Sequence, residues 1–428
     1  MEDATTVLFG LPGFRVLDVR RIERGTRWVL VETIEPAAGC PACGVISDRV
    51  HERPLMRVKD LPVGGGPVQL WWRKRRYRCE EPACPRRSFT ETSAAVPARS
   101  RLTGRLRHRL ATAVAQSNRA VADVAAEYGV AWWTVHRALV AAAAALLPAP
   151  SPTPRIGVDE TRARSVRWLL ADAGWRRSDP WMTSIVDLDP TGGGTILGLA
   201  PGRSGACIEG WLAVQDPAFR EAVEVVAIDP SAPYAAGLRR ALPGARIVVD
   251  HWHLVRLANA VVTEVRQRVA REQLGRCGRR LDPAWAHRRL LLRAGDTLSP
   301  AALARLRQVL ALDDSSGEIG AAWGVKELLR QLLATSGPRY SRHLVAHRLH
   351  RFLDACALAA MPETDRLAAT VETWWPEIEG FLELGVTNAR TEGFNRVIKQ
   401  VKRVGCGFRN QDNYQRRIML HVAVRRAA

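Results

Sequence analysis

The chain has 428 residues, 47% of them hydrophobic, which is enough for several buried cores and excludes a disordered tail protein. Lys and Arg total 63 against 43 Asp and Glu, and the net charge of +20 makes a polyanion, nucleic acid first, the default partner. The longest aliphatic run, residues 138–147, stops at Pro148, well short of the ~20 residues that cross a bilayer, so no membrane partner is expected.

The opening MEDATTVLFG lacks a basic segment followed by a long apolar stretch, so no signal peptide is expected. The expected location is the bacterial cytoplasm, with action at the nucleoid, and disulfides are not expected there. In residues 1–95, apolar runs such as RWVLVETI and VQLWWRKRRYRC are broken by VGGGP, the pattern of small antiparallel strands. Cys40 and Cys43 form CPAC, and Cys79 and Cys84 form CEEPAC. Two thiolate pairs, each on a tight turn, predict a four-sulfur tetrahedral site for structural Zn²⁺, with no position left open for catalysis. The alternative is four reduced cysteines that only pack. Just before Cys79, Arg73, Lys74, Arg75, Arg76 and Arg78 stand beside Trp71, Trp72 and Tyr77, a composition suited to DNA backbone contact.

Charge is uneven along the chain. Between Trp71 and Leu110, twelve Arg or Lys face three Glu, and from Asn388 to the end ten face two acidic residues. Residues 96–147 read as a helix-turn-helix domain, with Gly129 as the turn before a helix that starts at Trp132. Thr134, His136 and Arg137 are then the candidates for groove contact. The rival is an ordinary helical hairpin packed in a core. PAPSPTP (148–154), with four prolines, cannot continue a helix and is expected to be a linker.

A third domain starts near residue 155. Its first part (155–251) alternates strand-like runs with helix-like ones, and two of the strands end in a carboxylate: IGVD at Asp159 and VVAID at Asp229. A third run, ARIVVD, ends at Asp250, which competes with Asp229 on spacing alone. Residues 163–180 are long for a connection, and 275–295 are rich in Arg. Residues 252–386 have helical composition throughout. The final segment (387–428) reads as two helices, the first carrying Glu392 with Asn395, Arg396 and Lys399 at i+3, i+4 and i+7. Carboxylates at strand ends can converge on a hard cation. The plainer reading is that each Asp caps a following helix and Glu392 pairs with Arg396.

Taken in order, the cysteine pairs, the helix-turn-helix, GVDE, IDPSAPY, VDHWH and TNARTEGFNRVIKQVKRVGCGFRN resemble the DDE transposases of the ISL3 insertion-sequence family over nearly the whole chain. The resemblance implies a multidomain α/β protein: a zinc-binding module, a helix-turn-helix domain, and a ribonuclease-H-like catalytic domain with an all-helical insertion. It implies Asp159, Asp229 and Glu392 as the catalytic, metal-holding triad for two Mg²⁺ ions, with Mn²⁺ as a substitute. Asp250 and His253 become supporting neighbours. Asn395, Arg396, Lys399, Lys402 and Arg403 join the DNA-binding candidates. The implied activity is binding of terminal inverted repeats, cleavage of the ends, and joining of 3′-hydroxyls to target DNA by a homodimer in the synaptic complex. A DNA-binding regulator and a metal-dependent nuclease of the same fold remain the alternatives.

Overall fold

A computed structural model describes residues 3–427 and divides the chain into two compact units, Met1–Pro148 with Gln400–Ala428, and Ala149–Lys399. In the first unit, strands β1 (Phe14–Arg21), β2 (Arg27–Thr33), β3 (Leu55–Lys59) and β4 (Val68–Arg73) form a sheet in the order β1-β2-β4-β3. Alternation in β4 sends Val68, Leu70 and Trp72 into the core, where Trp72 meets Phe14 edge to face at 5.2 Å. The expectation of purely antiparallel strands needs correction, because β2 and β4 pair in parallel. After β2 the chain leaves the sheet to build part of the cysteine lobe and returns through β3, which supplies the long crossover that a parallel pair requires.

The cysteine lobe consists of very short strands around a small core of Cys40, Tyr77, Cys84 and Phe89. After it come α1 (Gly104–Ala115), α2 (Val121–Glu127) and α3 (Trp132–Leu146). Thr103 caps α1 through its side chain. Gly129, at φ +55°, makes the left-handed turn between α2 and α3, whose axes differ by 117°. No single described helix is long and apolar enough to cross a membrane. The α2–α3 pair would pass on composition alone, and its apolar residues Val124, Val135 and Leu139 lie in a shared core.

The second unit holds a five-stranded sheet: β5 (Arg155–Arg162), β6 (Trp181–Asp187), β7 (Ile196–Pro201), β8 (Val225–Ile228) and β9 (Arg246–Val249), in the order β7-β6-β5-β8-β9. β5, β8 and β9 are parallel, and β6 runs against both β5 and β7. Helices Gly205–Ala213 and Ala232–Ala241 cover one face and bury Ile208, Leu212, Tyr234 and Leu238 against Ile156, Val158, Val226 and Ile228. Every element from His251 to Leu384 is helical. The Arg-rich segment 275–295 is tied into these helices by the buried Lys326, which donates to the carbonyls of Leu291 and Arg293 at 2.7 Å each.

The C-terminal segment, expected to belong wholly to the catalytic domain, is shared. Helix Ala389–Val404 begins in the second unit, whereas Gln411–Ala427 belongs to the first. Leu420 completes the α1–α3 core, His421 lies against the Ala115 carbonyl, and Arg417 donates to Asn118 at 3.2 Å and to the Arg119 carbonyl at 2.7 Å.

Candidate active site and metal centre

The register of the parallel strands sets the carboxylates in a row. Val158 is level with Ile228 and Ile228 with Val249, so the residues that follow, Asp159, Asp229 and Asp250, stand side by side at the C-terminal ends of three adjacent strands. Neighbouring strands lie about 4.8 Å apart. Burial, then the adjacent Asp229 carboxylate, push Asp159 up to about 7. Glu160, which the sequence reading passed over, is raised for the same two reasons. Asp229 turns Oδ2 to His253 Nε2 at 2.8 Å and leaves Oδ1 buried with no hydrogen-bond partner. Burial acts to lower His253, but its bond to Asp229 outweighs that and holds it above its ordinary value.

Asp250 has a different task. It is buried, accepts from the Trp252 backbone N–H at 3.1 Å as N-cap of helix His251–Leu274, and lies 3.3 Å from His251 Nδ1.

Helix Ala389–Val404 is brought onto β5 at Gly157. A Cβ there would fall 2.2 Å from Thr391 Oγ1 and 2.5 Å from Asn388 Oδ1, so only glycine lets the helix start approach the strand this closely. Asn388 donates to the Val158 carbonyl at 3.2 Å. One turn beyond Glu392, Asn395 donates from Nδ2 to Asp159 Oδ2 at 2.6 Å and accepts from Ser184 Oγ at 3.1 Å. Asn395 is therefore a buried support for Asp159, which corrects its expected role as a DNA contact. Glu392 is half-buried beside this face. Among the described residues, the three carboxylates do not share one 4.8 Å cluster, and the side chain of this helix that meets Asp159 is Asn395.

The four paired cysteines do form such a cluster: their sulfurs all lie within 4.8 Å of one another, Cys40 to Cys84 at 4.0 Å and Cys43 to Cys79 at 3.5 Å. Four sulfurs placed ~2.3 Å from a central zinc would be about 3.8 Å apart, so the donor set fits that ion. Burial raises Cys40, but the backbone N–H groups of Ala42 and Cys43 outweigh it and hold its thiol at about 7. Zinc would be structural here, a clamp on a lobe whose own core is four residues.

The basic run before Cys79 is largely spent on folding. Arg75 is buried among Glu32, Glu91 and the Glu35 carbonyl, so it is excluded from DNA contact. Arg73 pairs with Glu32 at 2.8 Å, Arg76 with Glu52 at 2.8 Å, and Lys74 lies over the Trp72 ring at 4.4 Å. Trp72 and Tyr77 are core residues, and Arg78 is the exposed member of the run. On α3, Arg137 is exposed, Thr134 is half-buried, and His136 stacks on Trp132 at 4.9 Å. Trp132 and Trp133, exposed at the start of α3, are surface aromatics that the sequence reading did not select. Arg396, Lys399 and Arg403 are exposed, and Lys402 is half-buried.

Comparisons agree with this layout block by block. A transposase family model (DDE, ISL3) matches residues 156–418, the zinc-finger model of the IS204, IS1001, IS1096 and IS1165 transposases matches 36–84, and the helix-turn-helix model of the ISL3 transposases matches 90–143. The transposase for insertion sequence element IS1001 of Bordetella parapertussis is 26% identical over 385 residues, covering 88% of this chain and 86% of that protein. The transposase model spans well over half the chain, and with a zinc finger and a helix-turn-helix matched ahead of it, the protein belongs to the ISL3 family of insertion-sequence transposases.

Proposed function

We propose that the chain binds the terminal inverted repeats of its own element, cleaves the ends, and joins the freed 3′-hydroxyls to target DNA. The carrying observation is the pair Asp159–Asp229, level on adjacent parallel strands, with one Asp229 oxygen buried and unpartnered. The strand order β7-β6-β5-β8-β9, with β6 alone reversed, supports reading the sheet as ribonuclease-H-like and the helices of 252–386 as its insertion. Asp159, Asp229 and Glu392 would hold two Mg²⁺ ions, or Mn²⁺, which when bound supply the positive charge that activates an attacking oxygen and stabilises a leaving one. Asn395 and Ser184 orient Asp159, His253 holds Asp229, and Asp250 fixes the start of the helix that carries His253. In this reading the first unit carries the DNA contacts that position the ends, through Arg78, Thr134, Arg137 and the exposed Arg403. Two copies act together in the synaptic complex.

The test is a strand-transfer assay on the full chain, with duplexes that end in the element's repeats and already carry the free 3′-hydroxyl. Joined products are expected. Hydrolysis without joining would make the protein a nuclease, and binding without either would make it a regulator.

Asp159 adds a pH dependence. Its pKa is raised to about 7, so between pH 6 and 7 most copies carry a proton that a divalent cation must displace. Cation affinity should therefore rise with pH. Calorimetric titration of zinc-loaded full chain with Mn²⁺ should give roughly tenfold tighter binding at pH 8 than at pH 6 for one site of this pKa. Equal affinity at both pH values would remove Asp159 from the cation site.

A further inference from the structure

Between Arg162 of β5 and Trp181 of β6 the chain leaves the sheet and builds a two-stranded hairpin, Trp168–Ala171 against Gly174–Arg177. This is the stretch that is long for a connection in the sequence. Its root is fixed: Ser178 N–H donates to the Arg167 carbonyl at 2.6 Å, Arg167 N–H to Ser178 Oγ at 3.0 Å, and Arg164 Nε to the Asp179 carbonyl at 3.1 Å. Beyond the root its residues are nearly all exposed. Trp168 is level with Arg177 and Leu170 with Trp175, and residues two apart on a strand share a face, so Trp168, Leu170, Trp175 and Arg177 stand together on one side. Their apolar members are 60%, 71% and 68% exposed. Two indoles and a leucine held in water on so small an element mark a binding surface.

Charge and position select the occupant. The stretch carries five arginines, at 162, 164, 167, 176 and 177, against Asp172 and Asp179, on a chain of net charge +20. A second copy of this basic chain would meet repulsion here, whereas a polyanion would be drawn in. Exposed aromatic rings beside arginine are the means by which proteins hold unstacked bases, since every base offers a π face. The hairpin is also continuous with the strand that bears Asp159. Trp168 lies nine positions beyond Asp159, at most about 30 Å of extended chain, or about nine nucleotides of duplex from the reacting phosphate.

Resting on the function proposed above, we infer that this hairpin is a base-stacking wedge: Trp168 and Trp175 stack against bases opened from the duplex within about nine nucleotides of the cleaved phosphate, and Arg177 pairs with the neighbouring backbone. Holding the opened end displaces the DNA strands and lets the scissile phosphate reach Asp159.

The experiment uses the full chain and duplexes ending in its repeats, with 2-aminopurine placed in turn at each of the first nine positions on either side of the end. Binding is followed in EDTA-free buffer without divalent cation, so the signal does not depend on chemistry. Wild type should change the fluorescence sharply at one or two positions. A Trp168→Ala/Trp175→Ala double variant should lose that change, and its cleavage of paired ends should fall by about a hundredfold or more, the range of two lost base–aromatic stacks. A Trp168→Phe/Trp175→Phe variant should keep most of both, and unpaired bases at the responsive positions should restore cleavage by the alanine variant. Unchanged fluorescence and cleavage in the alanine variant would overturn the proposal. So would a shift of the alanine variant from dimer to monomer without DNA while the fluorescence change persists, because the hairpin would then be an interface between copies. Wild-type DNA that is opened but never cleaved would sink the catalytic reading and leave the wedge standing.

Discussion

Asp159→Asn, Asp229→Asn and Glu392→Gln should each abolish cleavage of repeat ends, by roughly a thousandfold or more, while binding to the same duplex stays within about twofold. Each change keeps the side chain's shape and removes one of the negative charges that two divalent cations need, and a rise of only ~4 kcal/mol in the barrier already slows the reaction a thousandfold. Asp159→Asn doubles as a fold control, because burial already favours the uncharged form there and the remaining oxygen can still accept from Asn395, with the Glu160 N–H bond given up. Asp250→Asn should be much milder, within about tenfold, since Asn caps a helix as well as Asp does and Asp250 is committed to the Trp252 N–H. Glu392→Gln is the sharpest of the series, because Glu392 lies beside Asn395 without joining the two aspartates. Full activity in that variant would remove it from the site, and an inactive Asp250→Asn beside an active Asp229→Asn would exchange the roles of those two residues.

The second large effect is expected at the cysteines. Metal analysis of the purified chain should give one zinc, and Cys40→Ser or Cys84→Ser should lose it, since these two sulfurs are buried in the lobe's own core. Structural zinc in small lobes is worth an apparent ~10 to 16 kcal/mol, far more than a core of four side chains can replace. The lobe should unfold and become protease-sensitive between residues 36 and 90, whereas the β1–β4 sheet, with Trp72 and Leu70 in a separate core, keeps its fold. A zinc-free chain that resists proteolysis in that interval would contradict the metal assignment.

Much of this site could be read from residue order alone, for a physical reason. A strand that ends in Asp after a short apolar run, as in IGVD and VVAID, needs only parallel pairing in register to bring its carboxylate beside its neighbour's, and both strands do pair that way. Cysteine spacing worked similarly, because a tight turn leaves little freedom in where two sulfurs point. What stayed hidden depended on partners far away in sequence. Asn395 and Arg396 look equally polar on a helix, yet one is buried against Asp159 and the other is exposed. Arg75 among five basic residues gives no local sign that Glu32 and Glu91 wait for it. Asp229 and Asp250 look alike on spacing, and the helix cap that engages Asp250 is a fact of three-dimensional hydrogen bonding.

The shared C-terminal segment has a consequence for the order of synthesis. Leu420, His421 and Arg417 fill the core around α1–α3, but about 250 residues of the second unit are made between that core's two contributions. At 5 to 20 residues per second, the ribosome takes roughly 12 to 50 seconds to supply the missing part. During that interval the emerging α1–α3 core lacks the side chains of Leu420, His421 and Arg417, so it closes only after the second unit has been made.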